Sequence, residues 1–398
     1  MVKRSVTEKP KIFFPNLDGL RFLAFALVYL QHGYWNAFGK QEAGNPVLHA
    51  LQNFFFLNGA TGVSVFFVLS GFLITYLILS EIDLRGRLDV GAFYIRRALR
   101  IWPLYFAVVT FALVIYPYLK ARMGMGSTPT TRTLFYYVFL SNFDVLNISH
   151  FCKGSAAMAS NVTWSVAVEE QFYLLWPVLF FLVAKRFQGY VFGAVLLLSV
   201  SFRALNIDHD YTLDYHSLSV CGDLAMGGLA AYWSLRSATF KNSFEKRSAC
   251  GRLTAYALGL LFMVAAPPLL GYGYGNLPLR LLSTAFYAFV ILDQNFSASD
   301  SFKLSKSRFM SNWGKYTYGL YLLHPVALLV LTLVPRILHR DATGFLPDFL
   351  IGTLGLGLSM LMSYVSYNVV ERRFLTLKAR FSHIQSASLA GAQSVLKI

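Results

Sequence analysis

A chain of 398 residues would ordinarily fold as two or three soluble domains, but 56% hydrophobic residues, only 14% charged residues and a mean hydropathy of +0.51 exclude that. Soluble domains carry roughly 25% charged residues, so this chain cannot cover itself with polar surface in water and is suited to lipid. The formal charge of +16 lies in short clusters between apolar runs, which is a topology signal and not the single basic patch that nucleic acid requires.

A membrane-spanning helix needs roughly 20 mostly apolar residues. Ten segments qualify: 17–37, 60–80, 101–119, 164–184, 188–204, 218–235, 253–270, 277–293, 316–337 and 347–369. The first carries Arg21 and His32 and has no small-residue cleavage site after it, so it stays as a helix and is not a signal peptide. Leu134–Phe143 is also apolar, but at ~1.5 Å per residue it covers ~15 Å, half of the hydrocarbon core, and reads as re-entrant or interfacial. With the N-terminus placed in the cytoplasm, 25 of the 35 Lys and Arg residues fall on the inner side and nine on the outer, with Arg21 inside the membrane. The expected fold class is therefore all-α: a polytopic transmembrane bundle of about ten spanning helices with both termini cytoplasmic. Residues 1–380 form one transmembrane unit, and 381–398 form a polar tail that composition marks as disordered.

Ionisable residues inside a membrane are costly and are functional candidates by default. Arg21 and His32 are eleven residues apart, three turns plus ~20°, so they share one helix face ~16 Å apart along the axis. Asp18 is placed to pair with Arg21. The bland reading has Arg21 snorkelling to the interface and His32 as a packing residue. In WSVAVEEQFYLLWP, Glu169, Phe172, Tyr173 and Trp176 form one stripe and Glu170 points elsewhere; helix capping would explain one of the two glutamates better than both. Arg96, Arg97 and Arg100 form a basic loop, either a cytoplasmic anchor or a phosphate site. His324 falls near the middle of a late helix. Ser70-Gly71 allows close approach of backbone or ligand. A local ion pair is the expectation for Glu371-Arg372-Arg373. Cys152, Cys221 and Cys250 form no cluster with histidine, so no metal site is expected and three free thiols are the simplest reading.

LDGLRFLAFALVYLQH, FFVLSGFLIT, RRALRIWPLY, WSVAVEEQFYLLWP, YGLYLLHPV and the Glu371 segment occur in that order, and together they resemble the acyltransferase 3 family of membrane-bound O-acyltransferases. The resemblance covers roughly residues 15–375. It implies transfer of an acyl group, typically acetyl, from cytoplasmic acyl-CoA to a sugar or polysaccharide hydroxyl at the outer side of a bacterial plasma (inner) membrane, without a metal. His32 and Arg21 match the family's essential pair, Glu169 its motif glutamate, and Arg97 and Arg100, with Arg96, the donor-binding basic loop. Glu169 is expected to orient His32 if the fold brings their helices together. Asp18, Glu170, Tyr173, His324 and Glu371 stand as secondary candidates. Many relatives carry a fused extracytoplasmic esterase-like domain that this sequence lacks, so a separate acyl-accepting protein is an expected partner beside the lipid bilayer and the glycan. A transporter or flippase using the same charged residues is the alternative, and it predicts broken helices in corresponding positions of two halves.

Overall fold

The computed structural model describes residues 11–38, 52, 55–56, 58–124, 132–147, 160–271, 273–337, 344–382 and 384–386. Each of the ten predicted segments is a helix: α1 (Pro15–Phe38), α2 (Gly59–Arg85), α3 (Val90–Thr110), α4 (Thr163–Leu182), α5 (Gln188–Leu205), α6 (Ser217–Arg236), α7 (Ala249–Ala265), α8 (Asn276–Phe296), α9 (Thr317–Ile337) and α10 (Phe345–Ser366). Six helical stretches among the described residues are long and apolar enough to cross a membrane. Two bent pairs, Ala238–Glu245 with α7 at 95° and Arg308–Gly314 with α9 at 79°, raise that number to eight. α1 and α6 are the two of the ten that fall outside this set.

Two boundaries differ from expectation for physical reasons. α3 begins at Val90, eleven residues before the predicted start, because Asp89 caps it by accepting from the Ala92 amide at 2.9 Å. Arg96, Arg97 and Arg100 therefore ride on a helix and not in a loop. α4 begins at Thr163, six residues before Glu169, so neither glutamate sits in its first turn and capping does not account for them. The predicted interfacial piece folds as two short helices, Thr133–Tyr137 and Ser141–Asn147. The first is held to α3 by the Tyr105 hydroxyl, which donates to the Tyr136 carbonyl at 2.8 Å.

α1, α2 and α6 form the centre. α2 and α6 cross at glycines. A Cβ on Gly71 would lie 1.9 Å from the Leu224 carbonyl oxygen, and one on Gly227 1.9 Å from that of Val68. Only hydrogen fits there, and in lipid such backbone approach supplies the packing that water would otherwise drive. Tyr29 ties α1 to α10 by donating to the Gly352 carbonyl at 2.6 Å. α7 is fixed to α8 by a bidentate pair, Arg252 Nε to Asp293 Oδ1 at 2.8 Å and Nη2 to Oδ2 at 2.9 Å, with both side chains buried.

The basic connections gather at one end of the bundle. Arg236 pairs with Asp83 at 2.8 Å, Lys303 donates to the Gln294 carbonyl, and Asn16 bridges Gln294 and Ser305. The opposite end holds Tyr34 against Thr353 and Arg203 against Asn276. At the basic end α10 passes through a π-turn, Tyr367–Glu371, into α11 (Arg372–Lys378). The chain then docks: Arg96 donates to the Phe381 carbonyl at 2.9 Å, and Gln385–Ser386 pair in parallel with Lys11–Ile12. The segment after Phe381, read from composition as a disordered tail, is thus held as far as Ser386. Residues 387–398 and Cys152 lie outside the described residues, while Cys221 and Cys250 are free thiols.

Candidate functional site

A cavity of about 510 Å³ runs from the basic end into the bundle between α1, α2, α3, α4, α9 and α11. That volume is ordinary for a small-molecule site. Asp18, Arg21, Arg97, Arg100, Glu169, Tyr173 and Glu371 all line it, so the fold brings together most of the residues singled out from sequence. Arg21 Nη1 meets Asp18 Oδ1 at 2.5 Å, the predicted pair. Each oxygen of Glu169 has its own donor, Ser70 Oγ at 2.7 Å and the Tyr173 hydroxyl at 2.9 Å. Ser70 and Gly71 thus divide the labour of one turn: the hydroxyl faces the cavity while the glycine backs onto α6. Arg97 lies over the rings of Phe93 and Tyr173, at 5.5 and 5.6 Å, which holds a guanidinium in place while leaving its donors unspent.

Two candidates, Arg96 and Glu371, are placed differently from the sequence reading, and a third, Glu170, points away from the Glu169 stripe as that reading had it. Arg96 does not line the cavity; it is bound to Glu81 at 2.8 Å and to the Phe381 carbonyl. Glu170 lies outside the cavity, where Oε2 accepts from the Trp102 indole at 3.1 Å. Glu371 forms no ion pair with Arg372 or Arg373 among the described residues. The π-turn rotates it inward, where it lines the cavity and accepts from Ser366 Oγ at 3.0 Å.

His32 and His324 meet each other. His32 Nδ1 and His324 Nε2 are 2.8 Å apart with the rings stacked, and no hydrogen bond joins His32 to Glu169 among the described residues. The tautomers follow from the surroundings. His324 Nδ1 lies 3.2 Å from the Leu320 carbonyl, which can only accept, so Nδ1 carries the proton and Nε2 is the acceptor. His32 therefore donates through Nδ1, and its Nε2 keeps a free lone pair. His324 is fully buried, edged by Phe25 and Tyr29 at 5.8 and 5.9 Å, whereas His32 is exposed towards the end opposite the basic one.

The cavity stops short of this pair. Its inner limit is Val63, Phe66, Ser165 and Tyr321, with the Tyr321 hydroxyl 2.6 Å from Ser165 Oγ and the Phe66 ring 5.5 Å from Tyr321. Tyr321 also lies one turn before His324, with ring centres 6.0 Å apart, so a single aromatic layer separates the cavity from the histidines. Neither Tyr321 nor Ser165 was singled out from sequence, although both lie within the segments that carry His324 and Glu169. Among the described residues no group of His, Cys, Asp or Glu side chains is placed to hold a metal ion.

Comparison with known proteins identifies the family. The chain is 24% identical over 381 residues to a putative O-acetyltransferase of Staphylococcus aureus, which covers 91% of this chain and 57% of that protein. It is 29% identical over 175 residues to the peptidoglycan O-acetyltransferase OatA of Listeria monocytogenes, covering 44% of this chain and 25% of the relative. It is 30% identical to the O-acetyltransferase OatA of Staphylococcus aureus over 180 residues, 44% and 26% of the two chains. The chain thus spans between a quarter and rather more than half of the length of these relatives. No solved structure matches it. The acyltransferase 3 family model, described as an acyltransferase domain, matches residues 14–367, nearly nine-tenths of the chain, and the chain belongs to that family.

Proposed function

We propose that this protein moves an acyl group, acetyl in the first instance, from acyl-CoA at the basic end to a sugar or polysaccharide hydroxyl at the opposite end. In this reading all ten long helices span the plasma membrane of a bacterium, the basic end and both termini are cytoplasmic, and the acceptor lies outside. The observation that carries it is the succession along α1: Arg21 in a cation-lined cavity, then an aromatic layer, then His32 held by His324 on the exposed far side. The relatives named as O-acetyltransferases support the reaction, and the one named for peptidoglycan supports a polysaccharide acceptor.

The residues divide the chemistry by depth. Arg97 and Arg100 bind phosphates at the nucleotide end of the donor, where planar guanidinium donors fit phosphate oxygens. The slim pantetheine arm extends past Glu169 and Tyr173, and displacement of the Tyr321–Ser165 contact lets the thioester reach the histidines. His32 Nε2 takes the proton from the acceptor hydroxyl. The acceptor oxygen then forms the ester bond to the acyl carbon, the carbon–sulfur bond breaks, and the thiolate of CoA leaves to take up a proton. His324 fixes the tautomer that makes His32 a base, the part the sequence reading gave to Glu169. Glu169 instead orders Ser70 and Tyr173 along the wall and balances the nearby arginines. The transporter alternative required broken helices in corresponding positions of two halves; among the described residues both bent pairs fall in the second half of the chain.

The test is transfer of labelled acetyl from acetyl-CoA added to the cytoplasmic face of membrane vesicles. The unaltered chain labels a hydroxylated acceptor, and His32→Ala, present in the membrane at the same level, does not. Substantial turnover by that variant overturns the assignment of the base.

A further inference from the structure

One cation of the cavity is not explained by any residue around it. Lys378, on α11, is 5% exposed and lines the cavity. No hydrogen bond or ion pair engages its ammonium among the described residues. The charged groups that act on it most strongly are Arg100, Arg97, Arg96 and Arg21, all of them cations. Asp18 answers Arg21 and Glu81 answers Arg96. Arg97, Arg100 and Lys378 have no carboxylate within ion-pair distance among the described residues, and Arg97 Nε is buried without a partner. Over the whole cavity six cationic side chains face three acidic ones. Burying an ammonium among like charges is unfavourable unless an anion joins them.

We propose that Lys378 is a phosphate-binding residue of the donor site, and that the C-terminal segment from Tyr367 to Lys378 forms the floor of that site. The segment is built for it. The π-turn breaks the register of α10, so Tyr367, Glu371, Leu375 and Lys378 all face the cavity. Arg96 then anchors the Phe381 carbonyl, and the Gln385–Ser386 pairing closes the segment onto Lys11–Ile12. All of Glu371 to Ser386 lies beyond residue 367, where the family match ends. The ligand chemistry is a phosphorylated nucleotide: three unanswered cations converge where the donor's 3′-phosphate or diphosphate would lie. This rests on the acyl-CoA reading above and adds to it a residue and a segment.

Equilibrium binding of CoA and of dephospho-CoA to the purified full chain in nanodiscs tests it, with Lys378→Gln and Lys378→Arg alongside. Lys378→Gln weakens CoA about tenfold or more, as expected for losing one charge-assisted hydrogen bond, and Lys378→Arg stays near the unaltered chain. A loss confined to CoA assigns Lys378 to the 3′-phosphate; an equal loss for dephospho-CoA assigns it to the diphosphate; both support the proposal. Unchanged CoA binding by Lys378→Gln overturns it, as does equal weakening by both variants with a lowered thermal midpoint, which marks a packing role. No binding of CoA by the unaltered chain overturns the acyl-CoA reading itself.

Discussion

In the proposed mechanism His32 owes its chemistry to a residue 292 positions away in sequence. Without an acceptor at Nδ1, its proton would be shared between the two ring nitrogens and the free lone pair would not be fixed on Nε2. His324→Ala should therefore lower kcat by about 100-fold or more, the lower range for loss of positioned acid–base catalysis. Binding of CoA should be unchanged, because the aromatic layer separates the two sites. His324→Gln offers an amide oxygen to His32 Nδ1 and should recover part of the rate. Equal loss in both variants together with loss of CoA binding would mean that His324 only holds the fold. Both histidines could be picked out from sequence as ionisable groups in apolar helices, yet their partnership could not. Arg21 and Asp18 were legible as partners because three residues on a helix determine their spacing, whereas His32 and His324 meet only through the packing of α1 against α9.

Helices were legible where apolar length alone decides them, and all ten appear. Their ends and breaks were not, because these depend on single polar contacts: the Asp89 cap that starts α3 early, and the π-turn that swings Glu371 inward. The docked segment after Phe381 was missed for the same reason, since its composition is that of a solvated tail and a two-residue backbone pairing with Lys11–Ile12 holds it. Glycine spacing, by contrast, carried real information at Ser70-Gly71. Gly71→Val puts a branched side chain against the Leu224 carbonyl, a rigid backbone atom that cannot move aside. The cost should be about 2–3 kcal/mol, the upper range for overpacking, read as a lower thermal midpoint in detergent. Gly193→Ala, on the open face of α5 with nothing within 4 Å of the added carbon, is the control and should be neutral or slightly stabilising. A Gly71→Val protein as stable as the unaltered chain would mean that α2 and α6 do not cross this closely.

The orientation of the whole molecule turns on α1 and α6, the two long helices whose polar residues keep them out of the clearly apolar set. The costliest of those residues do not face lipid. Asn16 and Asp223 are buried, Arg21 lines the cavity, and Asp223 accepts from Ser64 and Arg280. An average over each helix counts these side chains against membrane crossing although neighbouring helices satisfy them. Both helices should therefore span. Positions towards either end of each are exposed: Phe13 just before α1 and Trp35 in its last turn, Tyr211 before α6 and the native Cys250 after it. In a background without the other cysteines, a membrane-impermeant maleimide applied to intact cells should label Trp35→Cys and Tyr211→Cys. It should spare Phe13→Cys and Cys250, which react only in inverted vesicles. The 25-to-9 division of Lys and Arg, counted over ten spans, favours that sense of orientation. Labelling of Tyr211→Cys and Cys250 from the same side would remove α6 as a span and put α7, α8 and α9 in the reverse sense. Lys315 and His324, both on or beside α9, would then face the wrong compartments, and a donor from the cytoplasm could not meet an acceptor from outside at His32.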